Sequence, residues 1–185
     1  MPHSERYTSV AIALHWLIAI VVIVQFNWGW WMQDIPKLPP GARVDAFNMH
    51  KSIGLTLLAL MVLRLVWRWR HPAPPLPAMP AWQRRLAHAN HWVLYVALFI
   101  MPVAGYLGSV FSGYPVKYFG MTLPAWGPKD ESLKNLCSTV HLATSFVLFF
   151  AVALHVAAAL KHALIDRDGL LSRMGLGRGS RKATA

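Results

Sequence analysis

Long apolar stretches broken by shorter polar connectors dominate this chain, and their lengths set its architecture. A bilayer-crossing helix needs about 20 mostly apolar residues. Four stretches meet that requirement: from about Ser9 to Trp31, roughly Asp45 to Trp69, roughly Ala87 to Phe111, and roughly Leu136 to Ile165. Tryptophans gather at several of their ends: Trp28, Trp30 and Trp31, Trp67 and Trp69, Trp82 and Trp92. Indole rings favour the headgroup level, so these clusters mark membrane interfaces. Pro102 and Gly105 interrupt the third stretch and predict a kink there. The first stretch runs on into FNWGWW with no small-residue cleavage site, so it reads as a retained helix. The expected fold is an all-α integral membrane four-helix bundle. One transmembrane domain is expected over 1–175, followed by a polar tail over 176–185 without fixed structure.

The connectors differ in kind. HPAPPLPAMPAW joins the second and third stretches, and proline at that density blocks helix and favours an extended chain. Arg68, Arg70, Arg84 and Arg85 bracket it. Arg6 precedes the first stretch, and Lys161, Arg167, Arg173, Arg178, Arg181 and Lys182 end or follow the fourth. With four spans these cations fall on one side, which the positive-inside rule makes the cytoplasm. Both termini are therefore expected to be cytoplasmic. QDIPKLPPGARVD and SGYPVKYFGMTLPAWGPKDESLK mix both signs of charge and face outward, where they can cover part of one face.

Composition supports this and removes rivals. The 185 residues are 56% hydrophobic and only 14% charged, against roughly 25% charged in soluble domains. A net charge of +11 invites thoughts of nucleic acid. These cations flank apolar spans, however, so orientation and anionic lipid explain them and no nucleic-acid partner is expected. The single cysteine, Cys137, allows no internal disulfide, and there is no Cys-x-x-Cys-His motif for covalent haem.

Four histidines then stand out inside the apolar stretches. His15 lies in AIALHWLIAI, His50 in FNMHKSIGLTLL, and His141 and His155 share the last stretch. Fourteen residues separate the last two, about 21 Å along a helix, with the rings only about 40° apart in direction. They face one side of one helix near opposite ends of a span. Ionisable rings in a bilayer are costly and ask for a partner or ligand. Helix direction sorts them by depth: His15 and His155 lie near the inner surface, His50 and His141 near the outer. Each pair suits one haem iron, and ligation by two histidines favours electron transfer over oxygen binding. A single such histidine is explained by a hydrogen bond to a neighbouring carbonyl; four at matched depths are not.

YTSVAIALHW, NMHKSIG, LAHANHWVLY and HLATSFVLFFAVALHVAAALKH carry a resemblance to the bacterial cytochrome b561 family, over roughly Arg6 to Met174. The resemblance implies a multi-pass protein of the bacterial inner membrane holding two non-covalent b haems. It also implies electron transfer, most specifically oxidation of periplasmic superoxide with ubiquinone as acceptor. The rival is a cytochrome b anchor subunit that relays electrons between a periplasmic dehydrogenase or hydrogenase and the quinone pool. A four-helix protein with no redox role is a third reading.

The remaining polar residues are weaker signals. His162 lies two turns beyond His155 on the same face, and the resemblance makes it a candidate for a cytoplasmic quinone site, with Arg84 and Arg85 nearby. Arg64 is a candidate partner for an inner haem propionate or a snorkelling side chain. Lys51 is the corresponding candidate outside. His88 and His91 are three apart and read as interface residues bonded to backbone or propionate. His71 and His3 read as solvent-exposed. Phe146, Phe149 and Phe150 read as packing rather than an electron relay. Lys37, Arg43, Lys51, Lys117, Lys129 and Lys134 are placed outside, where they can steer a small anion. Asp34, Asp45, Asp130 and Glu131 dilute that field.

Overall fold

The structure, a computed structural model, describes residues 6–39, 41–75 and 79–176. Four helices, α1 (Ser9–Asp34), α2 (Ala42–Arg70), α3 (Ala81–Phe111) and α4 (Glu131–Lys161), make up nearly all of it. Each is long and apolar enough to cross a membrane. His3, the cations beyond residue 176 and nearly all of the expected tail lie outside the described residues.

Polar residues hold several helix ends, and at the end of α1 and the start of α4 they carry the helix past the apolar limit read from sequence. Thr8 Oγ1 accepts from Ala11 N at 3.2 Å and starts α1. Asp130 Oδ1 accepts from Leu133 N at 2.9 Å, which starts α4 five residues before Leu136. At the far end of α1, Arg43 Nη1 donates to the carbonyls of Gln33 and Ile35 at 2.8 and 2.6 Å. Helix α3 continues as one helix through Pro102.

Large apolar side chains face outward all round the bundle: Ile20 and Ile23 are each 58% exposed and Phe150 67%. That surface suits lipid. Lipid is as apolar as leucine, so helices in it associate through close packing and polar contacts. Accordingly α3 approaches α4 through small residues, and a Cβ on Gly108 would stand 3.4 Å from Cys137 Cβ. Close seams join α3 to α4, α1 to α2 and α2 to α3; none of comparable extent joins α4 to α1 or α2. The buried core gathers Ile18, Val22, Leu57, Met61, Ala97, Leu98 and Leu148. Leu148 is midway in sequence between His141 and His155, so this core separates their two levels.

Both ends of the bundle carry covers. Outside, β1 (Lys117–Tyr118) and β2 (Met121–Thr122) form a short antiparallel hairpin in a segment read from sequence as loop. Ser52 of α2, 1% exposed, donates to Asn48 O at 2.8 Å and accepts from Phe119 N at 2.9 Å. Thr56 and Tyr118 hydroxyls meet at 3.2 Å. Inside, α4 passes into a π-helical turn, His162–Asp166, and then a 3-10 turn, Leu170–Met174. That segment folds back beneath the bundle: Trp16 Nε1 donates to Met174 O at 2.9 Å, and Arg173 Nη1 donates to Pro75 O at 2.6 Å.

Candidate functional site

Between α4 and the helices α1 and α2, with which it shares no close backbone seam, imidazoles meet at two levels. At one, His50 of α2 and His141 of α4 have ring centroids 6.2 Å apart, with planes at 78°. At the other, His15 of α1 and His155 of α4 are 6.0 Å apart, with planes at 68°. Spatial proximity therefore follows the pairing by depth.

The His50 level is tightly defined. His141 Nδ1 lies 2.8 Å from the Met101 carbonyl oxygen of α3. A carbonyl only accepts, so Nδ1 carries the hydrogen and Nε2 keeps its lone pair. An outer hydrogen bond of this kind orients a metal-binding histidine and raises its basicity. Two glycines make room for the rings: a Cβ on Gly105 would stand 3.0 Å from His141 Nδ1, and one on Gly29 3.3 Å from His50 Cε1. Gln25 Nε2 donates to the His50 carbonyl at 2.9 Å, joining α1 to α2. Gln25 Oε1 and His50 Nδ1 are buried with no hydrogen-bond partner.

The His15 level is more crowded. His91 of α3 joins it, its ring 5.4 Å from that of His155. Among the described residues neither His88 nor His91 bonds to backbone, the first of the two partners expected for them, and His91 is a third imidazole of the inner cluster. Arg64 lies close enough to act electrostatically on His15, His91 and His155, while its Nη1 donates to Ala11 O at 3.1 Å. Lys51 lies beside His50, half-buried, and acts on it in the same way.

The arrangement can be tested against a metal-centred cofactor by its dimensions. Imidazole nitrogen binds a metal ion at roughly 2.0 Å. Two rings on opposite sides of one ion then stand roughly 6 Å apart, centre to centre, which the 6.0 and 6.2 Å separations match. At the His50 level an orphaned buried ring nitrogen and two glycines beside the rings fit haem iron, and at the His15 level the ring separation does. Aromatic rings, Phe26, Trp30 and Phe149, cluster between α1 and α4 at centroid distances of 5.9 to 6.1 Å. Phe146 and Phe150 are 54% and 67% exposed, which suits a lipid-facing wall.

His162 is not part of either level. Its Nδ1 is 2.6 Å from Asp168 Oδ2 and 3.1 Å from Asp166 Oδ2. The π turn and the left-handed residues Arg167 (φ 51°) and Gly169 (φ 76°) bring these carboxylates back toward α4. The three could hold a cation by composition, but Lys161 Nζ, 2.5 Å from Asp166 Oδ2, already neutralises one of them. Arg84 lines a cavity with His88 and His91, and neither His162 nor Arg85 is among the residues lining that cavity. His71 is exposed and stacks on Trp67 at 4.2 Å.

A membrane bundle with imidazole pairs at two depths of its interior belongs to the class of membrane b-type cytochromes. The model of the prokaryotic cytochrome b561 family matches residues 6–177. Cytochrome b561 homolog 2 of Escherichia coli (strain K12) is 36% identical over 178 residues, covering 95% of this chain and 94% of the relative. The probable superoxide oxidase CybB of Yersinia pestis is 28% identical over 172 residues, 92% of this chain and 96% of that one. Cytochrome b562 of Cereibacter sphaeroides is 23% identical over 177 residues, 94% and 98% respectively. The chain belongs to the prokaryotic cytochrome b561 family. It is accordingly a multi-pass protein of the bacterial inner membrane, of a family that uses b-type haem for membrane electron transfer.

Proposed function

We propose that the pairs His15–His155 and His50–His141 ligate two non-covalent b haems, and that the chain moves single electrons from periplasmic superoxide to ubiquinone. The approach of four imidazoles into two pairs, 6.0 and 6.2 Å apart where α4 makes no close backbone seam with α1 or α2, carries this reading. Bound b haem supplies a one-electron iron couple with no open coordination position. The chain's own residues supply the rest. The Met101 carbonyl fixes the His141 ring. Met61, Leu98 and Leu148 keep the space between the levels dry.

Both termini lie in the cytoplasm on this reading, with 1–175 as the working domain, and the hairpin end faces the periplasm. Lys37, Lys51, Lys117, Lys129 and Lys134 then give the outer end a positive field that draws a small anion. Arg43 adds to it from a fixed position, its guanidinium held by the carbonyls at the end of α1. A relative named as a probable superoxide oxidase supports the choice of anion. Two superoxide ions yield two oxygen molecules and two electrons; one ubiquinone takes both electrons and two protons. On the inner side His162, its Nδ1 2.6 Å from the Asp168 carboxylate, is the proposed residue of the quinone site.

Stopped-flow mixing of the purified protein with superoxide tests this directly. Haem reduction on the millisecond to second scale, followed by reoxidation on adding ubiquinone, is the expected result. Absence of reduction would leave the anchor subunit that relays electrons from a periplasmic dehydrogenase or hydrogenase. A cytoplasm-active reporter fused after Arg173 should work and a periplasm-active one should be silent; the reverse would exchange donor and acceptor sides.

A further inference from the structure

Two adjoining cavities open at the inner end of the bundle, sharing Tyr7, Arg68 and Ala73 in their walls. The larger, about 780 Å³, lies under the proline-rich connector and extends past Trp69, Arg84 and His88 to His91. His91 in turn is 5.4 Å from His155, so the hollow reaches the inner histidine cluster. The smaller, about 20 Å³, lies beside Arg64 and Tyr95. The two walls contain Arg64, Arg68 and Arg84 and no carboxylate. No ion pair among the described residues involves any of these arginines.

Like charges gathered around a hollow at the membrane edge repel one another unless an anion enters. A second, independent feature points the same way. The Tyr95 hydroxyl is buried and has no hydrogen-bond partner, and a buried donor of that kind calls for an acceptor. The Arg68 guanidinium stands 5.8 Å from the Tyr95 ring centroid, so the donor and the cation border one space. Arg64, the candidate read from sequence, is already tied to the Ala11 carbonyl. What is missing is an anion with oxygen acceptors, reaching from the histidine cluster toward the connector.

We infer that these cavities receive the two carboxylates at the edge of the inner haem, with Arg68 and Arg84 as their ionic partners and the Tyr95 hydroxyl as a further donor. The inference rests on the proposal that His15 and His155 ligate that haem. Guanidiniums bind carboxylates through paired N–H donors, which gives orientation as well as charge. Their positive charge also favours the electron-richer state of the iron, so these arginines hold the inner midpoint potential up. The outer level is about 21 Å further along α4 and lies beyond their reach.

Redox titration of the full chain in neutral detergent, with haem content measured alongside, provides the test. Arg68→Gln and Arg84→Gln should each keep the outer midpoint and shift the inner reduction equilibrium roughly tenfold toward the oxidised form, about 59 mV for one electron. Arg68→Lys and Arg84→Lys keep the charge and should restore most of that shift, which a purely structural role would not produce. Tyr95→Phe, nearly isosteric, should lower the inner midpoint by a smaller amount. Loss of the inner haem from the glutamine variants with retention in the lysine variants also supports the assignment. Two haems with unchanged midpoints in both glutamine variants would overturn it. So would shifts seen only after adding phosphatidylglycerol vesicles, which would give the cavities to a lipid phosphate. If His155→Ala leaves both haems in place, the ligation reading itself fails, and that result is separable from the arginine titrations.

Discussion

The outer histidine pair is enclosed by fitted contacts with one cation, Lys51, beside it, whereas the inner pair has several arginines and open space around it. Around His50 and His141 the chain supplies a carbonyl partner, two glycines and a hairpin closed by Ser52. Around His15 and His155 it supplies a third imidazole, nearby arginines and two cavities. No described glycine approaches either inner ring. One end is therefore specified by shape and hydrogen bonding and the other by electrostatics. On the proposed function, the outer end meets a small reactant and the inner end exchanges protons and electrons with a larger one.

Loss of a ligand should break the comparison most visibly. His50→Ala and His141→Ala should each remove the same one of the two haems, and His15→Ala and His155→Ala the other. Pyridine haemochrome analysis should fall from two haems per chain toward one. His91→Ala should leave two, with altered inner spectra. If His91→Ala removed a haem and His15→Ala did not, His91 rather than His15 would be the inner partner of His155.

Much of this contrast is hidden in the sequence, for reasons of geometry. Depth is legible: helix rise and alternating span direction fix the level of each histidine, and the structure brings His15 to His155 and His50 to His141. The helices themselves are legible because apolar length decides them. Rotation of a helix about its own axis is not, since it depends on all its neighbours at once. That is why His91 reads as an interface residue although it meets His155, and why the bond from Arg64 to Ala11 O is not foreseen. The carboxylates on His162 depend on a π turn and two left-handed residues that no periodicity announces. The hairpin likewise depends on a hydroxyl 67 residues away in sequence.

A bulkier residue in place of an outer glycine should sharpen the contrast next. Gly105→Ala places a Cβ about 3.0 Å from His141 Nδ1, tighter than ordinary contact, so the ring must shift by a few tenths of an ångström. The outer haem's midpoint and low-temperature spectrum should change while the inner haem's stay fixed. Gly105→Val should enlarge the effect to partial loss of the outer haem. Equal changes at both levels would mean a general loosening of α3 against α4.

Removing the hydroxyl that closes the outer end should have a smaller effect. Ser52→Ala leaves the Phe119 N–H without its acceptor and deletes the donor to Asn48 O. Because Phe119 is exposed and water can replace the lost partner, the cost is about the 0.5–1.5 kcal/mol of an ordinary hydrogen bond. Phe119 holds a positive φ of 45°, an unfavourable setting for its residue type, so the hairpin should open locally rather than unfold the bundle. Faster protease cleavage between residues 112 and 130 with haem content unchanged is the expected signature. Unchanged cleavage would show that Thr56 and Tyr118 alone hold the hairpin.

The outer field should produce the smallest effect, because screened surface charges act over short range. Lys117, Lys129 and Lys134 belong to the segment that leads from the hairpin into α4, outside the histidine pair. If the donor is superoxide, changing all three to glutamate should slow haem reduction several-fold and leave both midpoints in place. Raising ionic strength should slow the unaltered protein similarly, since the Debye length falls to about 3 Å at 1 M salt. The variant should lose that salt dependence or reverse its sign, because repulsion is screened as readily as attraction. A neutral donor would give flat salt profiles in both proteins. That outcome would detach superoxide from the outer end while leaving the contrast between the two histidine levels intact.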